Sequence, residues 1–156
     1  MIRATHRPVP RNRQRGVSLL EVLIAVVVLA FGLLGLALLQ TMNLRFTQSA
    51  NHRTVATNLS YEVLDLVRAN RLLKRTYAEA GYVSGGTPNA CAIAATFDPG
   101  PNIARWHCQV SQQLPGGESQ ISVNGDVATV RIRWTDARWE ANAADQQAVF
   151  ELVTTL

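Results

Sequence analysis

The sequence predicts an α+β protein in which a long N-terminal α-helix packs on a small antiparallel β-sheet. Three observations support this fold class. An uncharged apolar run fills residues 22–39. A stretch without proline or glycine continues from Gln40 to Arg75, with apolar residues at helical spacing. Short alternating segments separated by turn residues follow. The 156 residues are enough for one small domain beside such a helix.

The apolar run is long enough to cross a membrane. As a helix it rises about 27 Å, close to the hydrocarbon thickness of a bilayer. Five arginines and no acidic residue precede it within residues 1–16. The positive-inside bias therefore predicts a single-pass inner-membrane protein with its C-terminal domain in the periplasm. No secretory cleavage site of small residues follows the run, so an uncleaved signal anchor is one interpretation of this segment.

The basic residues are concentrated at the N-terminus. Lys and Arg total 15 against 11 acidic residues, and the five leading arginines leave ten basic against eleven acidic residues in the rest. Arg131, Arg133 and Arg138 are candidates for phosphate contacts, but three arginines on a slightly acidic chain are weak support for such binding. We therefore expect no nucleic-acid partner.

The junction before the apolar run has a glycine followed five positions later by a glutamate, Gly16 and Glu21. It resembles the type IV prepilin processing site, where a membrane aspartic peptidase cuts after a glycine and the new N-terminus is methylated. This resemblance implies cleavage between Gly16 and Val17 by prepilin peptidase, and N-methylation of Val17. The family usually has Phe or Met at the position of Val17.

Glu21 is an acid close to the start of a membrane helix, which is costly unless the charge is paired. The resemblance implies that Glu21 meets the N-terminal amine of a neighbouring subunit and sets the register of the bundled helices. Alternatively, its carboxylate reaches the headgroups. Gly32 and Gly35 allow close helix contact, although their spacing is not that of a GxxxG motif.

The second half of the predicted helix is amphipathic. Its apolar residues recur at spacings of 4, 4, 3 and 7 and form one face, which we expect to lie on the sheet: Val55, Leu59, Val63, Leu66 and Leu73. The charged residues fall largely off this face and are expected to be solvated.

The C-terminal region is predicted to be an irregular connection followed by strands. Gly and Pro residues up to Pro101 indicate the connection. Alternation predicts a strand around Trp106 to Val110. Two further strands are expected on either side of Asn124-Gly125, which is a strong hairpin signal. A loop from Asp136 to Gln147 then leads to a last strand from Ala148 to Leu156.

Cys91 and Cys108 are the only cysteines in the sequence. They lack the spacing of zinc ligands, and we expect neither a metal nor a cofactor. A disulfide is the simplest interpretation, and it would close a loop of about 17 residues and stabilise the domain by roughly 3 kcal/mol. Two free buried thiols are the alternative.

Several motifs together resemble the PilV family of type IV pilus modification proteins. They are residues 32–37, 68–71, 106–108, 115–117 and 130–134, with Cys91. The resemblance implies a minor pilin that helps to initiate pilus assembly and supports twitching motility. Its implied partners are other minor pilins, the major pilin, prepilin peptidase, the inner-membrane assembly machinery and membrane lipid. The implied organisation is a leader (1–16), a transmembrane assembly helix (17–39), an amphipathic continuation (40–76) and a periplasmic β domain (77–156).

Two other functions are weighed against a minor pilin. A minor pseudopilin of a type II secretion system shares the leader, Glu21 and the fold. A membrane-tethered periplasmic enzyme would need catalytic residues in the domain, where His107 has no G-x-S-x-G motif or metal-binding cluster in the sequence around it. We expect His107 to be a strand residue, His52 to lie on the helix surface and His6 to leave with the leader. The protein is therefore predicted not to be an enzyme.

Overall fold

A computed structural model describes residues 16–85, 91–92, 98–137, 142 and 146–156. The elements in chain order are α1 (Leu19–Ala69), a 3₁₀ helix (Arg71–Tyr77), β1 (Val83–Ser84), α2 (Pro99–Gln113), β2 (Glu118–Asn124), β3 (Val127–Thr135) and β4 (Gln147–Thr155). The predicted α+β class is confirmed. The chain forms two compact units, one ending at Asn43 and the other running from Leu44 to Leu156.

The first unit contains the start of α1. The backbone N–H groups of Glu21 and Val22 donate to the Ser18 carbonyl at 2.9 and 3.2 Å, which closes the first helical turn. Every residue from Gly16 to Asn43 is exposed. The helix is long and apolar enough to cross a membrane, and a helix that is apolar on all sides needs an apolar environment.

In the second unit, α1 has one buried face. Its buried residues follow a spacing of three and one, as a single helical stripe requires: Ala56, Leu59, Ser60, Val63, Leu64 and Val67. The predicted stripe holds at Leu59 and Val63 but is wrong at Leu73, which is half exposed. The reason is that α1 ends at Ala69 and does not continue to Arg75. The 3₁₀ helix that follows has three residues per turn, so Leu73 no longer falls on the buried face.

The 3₁₀ helix turns the chain back toward the sheet. It begins after Asn70, which has a non-helical backbone conformation. Tyr77, its last residue, is fully buried, and the Asn70 side-chain amide donates to the Tyr77 hydroxyl at 2.8 Å. This bond provides the buried phenol with the polar partner that it needs.

The four strands form one antiparallel sheet in the order β1-β2-β3-β4. The predicted hairpin is confirmed, because Asn124 pairs with Val127 across the turn Gly125-Asp126. Gly125 has a φ of 60°. Its place as the first turn residue suits the II′ type, which matches the twist of the flanking strands.

The predicted strand around Trp106 to Val110 is wrong, because this segment lies in α2. The Asp98 carboxylate caps the helix by accepting from the Gly100 N–H at 3.2 Å, and Pro99 occupies its first turn. The Pro99-Gly100-Pro101 segment therefore starts a helix and is not part of the irregular connection.

The core lies between the buried face of α1, α2 and the inner face of the sheet. Trp106 is completely buried, and its indole N–H donates to the Leu59 carbonyl at 2.8 Å. The sheet contributes mainly alternate residues of β2 and β3: Ile121, Ala128, Val130, Ile132 and Trp134. This alternation agrees with the predicted period of two.

Candidate assembly segment and polar clusters

The residues predicted for processing lie at the start of the described chain. Gly16, Val17 and Ser18 precede α1 in non-helical backbone, and Val17 is 69% exposed. Exposed segments outside regular structure are the usual sites of proteolysis. The predicted cleavage bond between Gly16 and Val17 therefore lies outside regular secondary structure.

Glu21 lies in the first turn of α1 and is exposed. A carboxylate at this position interacts favourably with the positive end of the helix dipole. Within the described part of the chain, Glu21 has no side-chain hydrogen bond or ion pair. The apolar side chains of the following turns surround this carboxylate with surface that cannot compensate its charge. No cationic group of the described residues compensates the Glu21 carboxylate.

Cys91 and Cys108 form a disulfide with a Cα–Cα distance of 5.2 Å. Cys108 lies on α2, next to Trp106 and His107 in the buried part of that helix. The bond therefore fixes the connection before α2 to the helix. Free thiols, the alternative from sequence, are not present.

His107 is a buried residue of α2, so its prediction as a strand residue is wrong. Its Nδ1 lies 2.8 Å from the Ser119 hydroxyl, and its Nε2 contacts the Glu79 carboxylate. The other Glu79 carboxylate oxygen accepts from the Ile121 N–H at 3.0 Å. We call His107, Ser119 and Glu79 the His107 cluster. It connects the segment after the 3₁₀ helix, α2 and β2.

The His107 cluster has the order carboxylate, imidazole and hydroxyl that serine hydrolases use. A nucleophile must reach its substrate, however, and the Ser119 residue is 0% exposed. The cluster as it stands therefore joins three elements of the fold. Sequence reasoning missed Glu79 and Ser119, because nothing local relates positions 79, 107 and 119.

A second polar cluster joins α1 to the end of β3. The Ser49 hydroxyl donates to the Asp136 carboxylate, and the His52 Nδ1 lies 3.3 Å from its other oxygen. Burial, the largest single cause, raises the pKa of Asp136, but several polar contacts, first those with Ser49 and His52, together outweigh it and hold this pKa below its usual value. His52 is thus a partly buried contact of α1, not a simple surface residue.

The outer face of the sheet carries paired charges. Arg131 forms an ion pair with Glu151 at 2.9 Å, and Arg133 forms one with Glu118 while stacking 4.1 Å from the centre of the Tyr82 ring. Because both guanidinium groups have carboxylate partners, they provide no basic strip for phosphates. Arg138, the third candidate, lies outside the described residues.

A metal site is not evident in the described ranges, where no group of three or more His, Cys, Asp or Glu side chains could hold an ion. The buried titratable groups are instead bonded to one another. These polar clusters connect elements of the second unit.

The chain matches the family model described as the prokaryotic N-terminal methylation motif over residues 11–37. No curated protein and no solved structure matches the chain. The matched segment contains Gly16, Val17, Glu21 and most of the apolar run. The chain thus carries an N-terminal methylation motif typical of type IV pilin-like proteins, which supports a structural role as a pilin or pseudopilin and processing by prepilin peptidase.

Proposed function

We propose that the protein is a minor pilin of the PilV type, which helps to initiate assembly of a type IV pilus and supports twitching motility. The observation that carries the pilin part of this proposal is the methylation motif on the first half of α1, which is largely apolar and exposed on every side up to Asn43. Such a helix must be covered by lipid before assembly and by neighbouring helices after it. The PilV assignment rests on the resemblance of the sequence motifs.

In this proposal the chain is made with a leader of residues 1–16 and crosses the inner membrane with its C-terminal domain in the periplasm. Prepilin peptidase cuts after Gly16, and the amine of Val17 is then methylated. Residues 17–39 form the assembly helix, residues 40–76 continue it, and residues 77–156 form the periplasmic domain. The inner-membrane machinery, the major pilin and other minor pilins are its partners.

Glu21 has a specific part in this mechanism. Cleavage creates a cationic amine at Val17, and the Glu21 carboxylate of one subunit pairs with this amine in a neighbour. In an apolar surrounding such a pair is much stronger than in water, and each unpaired ion is costly. Pairing therefore favours one axial register between adjacent helices over all others.

The proposed processing is tested by mass spectrometry of the full chain from host membranes, with the peptidase gene present and deleted. We expect a chain that begins at N-methylated Val17 when the peptidase is present, and a retained leader when it is deleted. Gly16→Ala should block processing, whereas Gly32→Ala, a matched change at another exposed glycine, should leave it intact. An intact leader in cells with active peptidase would contradict the proposal.

A minor pseudopilin of a type II secretion system would be processed in the same way, so a second measurement is needed. Deletion of the gene should reduce surface pili and twitching if the protein is a minor pilin. Normal pili together with impaired protein secretion would assign it to the secretion system instead. Either result retains the methylated N-terminus and the helix bundle.

A further inference from the structure

The outer edge of β4 has backbone groups that point away from the sheet. The Leu156 N–H donates to the Asp126 carbonyl at one end of the β3–β4 pair, and the Asp136 N–H donates to the Gln146 carbonyl at the other. Hydrogen bonds in an antiparallel pair serve alternate residues. The pattern therefore directs the N–H and C=O groups of Val149, Glu151 and Val153 outward.

No hydrogen bond from another described residue reaches these outward groups. The strand has nine residues, and it contains neither proline nor lysine. Its one charged residue, Glu151, is paired with Arg131 on the neighbouring strand. Natural edge strands are usually short, bulged or charged because an open edge can pair with another chain. Among the described residues, the only such protection at the β4 edge is the Glu151 carboxylate, which already has a partner in Arg131.

The opposite edge of the sheet provides an internal comparison. There β1 is only two residues long, and β2 is partly covered beyond it. The backbone N–H of Glu79 donates to the Ile121 carbonyl at 2.8 Å, and the Glu79 carboxylate accepts from the Ile121 N–H at 3.0 Å. At this edge the backbone groups of Ile121 are thus satisfied, whereas the outward groups of β4 have no partner among the described residues.

Both faces of β4 also carry apolar surface. On the outer face, Val149 and Val153 are 59% and 55% exposed. On the inner face, Phe150 and Leu152 pack on the core but are only partly buried. An added strand would extend the sheet over both sets of side chains. An extended segment is therefore the partner that fits, because it satisfies the backbone groups and covers this surface together.

A second copy of this chain fits the edge poorly. Glu151 is the middle residue of β4, so two copies paired antiparallel over the full strand would place two Glu151 carboxylates opposite each other. Like charges at such a position are destabilising. A strand with a basic residue opposite Glu151 and β-branched residues beside it would be complementary in charge and shape.

We propose that the β4 edge binds an extended segment of a different subunit of the same assembly, which adds a fifth strand to the sheet. The inference rests on the proposed function in one respect, since it takes the partner from among the other subunits of the pilus assembly. It assigns the contact to β4, whereas the proposed function assigns helix bundling to the first half of α1. The two contacts can therefore be separated by mutation.

The test uses the full-length chain, co-expressed in turn with each of the host's other full-length proteins that carry an N-terminal methylation motif, and purified in detergent. The double variant Val149→Pro, Val153→Pro removes two outward N–H groups and no bond to β3, and proline is tolerated at such edge positions. The matched control, Val149→Ala and Val153→Ala, keeps both groups. A third variant, Val149→Lys, retains the whole backbone and adds an edge charge.

With the wild-type chain, we expect the outward amides of β4, those of Val149, Glu151 and Val153, to exchange about tenfold more slowly in the complex than alone. The amount of co-purified partner should fall at least about tenfold with the proline variant. It should fall by less with the lysine variant and change little with the alanine control. Thermal unfolding of each variant shows whether the domain is intact. If proline unfolds the domain, the lysine variant and the exchange data decide.

A complex that forms with unchanged exchange at β4 and equal partner recovery for all variants would overturn the strand proposal while leaving the proposed function intact. Failure of the wild-type chain to co-purify with any of these proteins would overturn both. Loss of the complex on substitution of Glu21 alone, with β4 still unprotected, would assign the contact to the helices only.

Discussion

The two halves of α1 share one backbone conformation but differ in their surroundings. Up to Asn43 every described residue is exposed, and nearly all side chains from Val22 to Leu39 are apolar. Beyond Leu44, six residues of the helix are buried in the core of the second unit. The same element therefore belongs to a folded domain in its second half, whereas no described residue covers its first half.

This difference indicates where each half obtains its stability. Full burial of a Leu, Val or Phe side chain contributes about 1.5–3 kcal/mol. The second half gains this within the chain. The first half gains no such burial from the described residues, and an exposed apolar surface of this length marks an interaction site. Substitutions in the two halves should thus affect different properties.

The largest expected effect is on assembly, from substitution in the first half. Glu21→Gln keeps the shape of the side chain but removes the charge that we propose pairs with a neighbour's amine. Breaking a buried ion pair leaves one ion uncompensated, so surface pili counted by electron microscopy should fall on the order of a hundredfold. The free energy of unfolding of the domain should not change.

Chemical denaturation with tryptophan fluorescence provides that control, because Trp106 and Trp134 are both buried in the second unit. Membrane insertion of Glu21→Gln should also be normal. Wild-type piliation in this variant would remove the proposed role of Glu21 and would leave the first half with only a role as an anchor.

The next effect is on stability, from a matched pair of substitutions in the two halves. Leu64→Ala in the second half removes a side chain that is 1% exposed, and we expect a loss of about 2–5 kcal/mol in the free energy of unfolding. Leu38→Ala in the first half removes one that is 64% exposed, and it should leave the domain unchanged. Equal losses in both variants, measured by urea denaturation, would contradict the comparison.

The smallest effect concerns the contact between α1 and β3 through Asp136. Its pKa is lower in the folded protein than its usual value, so the ionised carboxylate stabilises the fold. This contribution is complete above the unfolded value near 4 and is lost as the pH falls through the lower folded value. Stability should therefore decrease in the acid range below pH 4.

Asp136→Asn should remove this part of the acid dependence and cost about 1 kcal/mol at neutral pH, since Ser49 and His52 lose a charged acceptor. Unfolding curves from pH 2 to 7 measure both effects. An Asp136→Asn variant with the same acid dependence as the wild-type chain would show that other carboxylates determine it.

The fold was predictable where a local pattern has one structural solution. The apolar run of α1 and the Gly125 hairpin are such cases, because helix periodicity and turn geometry act over a few residues. The segment around Trp106 was not, since its short alternation also agrees with helical spacing from Ile103 through Val110. The Asp98-Pro99 pair, a helix-start signal, would have resolved this ambiguity.

The functional and polar residues likewise include some that the sequence reveals and some that it does not. Gly16, Val17 and Glu21 are recognisable in sequence because their spacing along the chain is itself the signal. The His107 cluster was not foreseen, because its members lie on α2, on β2 and in the segment after the 3₁₀ helix, which are far apart in sequence. The outward backbone groups of β4 required the register of β3 against β4, which no single strand contains.

By itself, the sequence determined the apolar helix, its acidic start and the methylation motif, all of which depend on composition and spacing over short distances. Only the tertiary structure decided which residues satisfy His107 and Asp136 and which backbone groups of β4 point away from β3. Those outcomes depend on contacts between residues far apart in the chain, and such contacts become defined only when the core has packed.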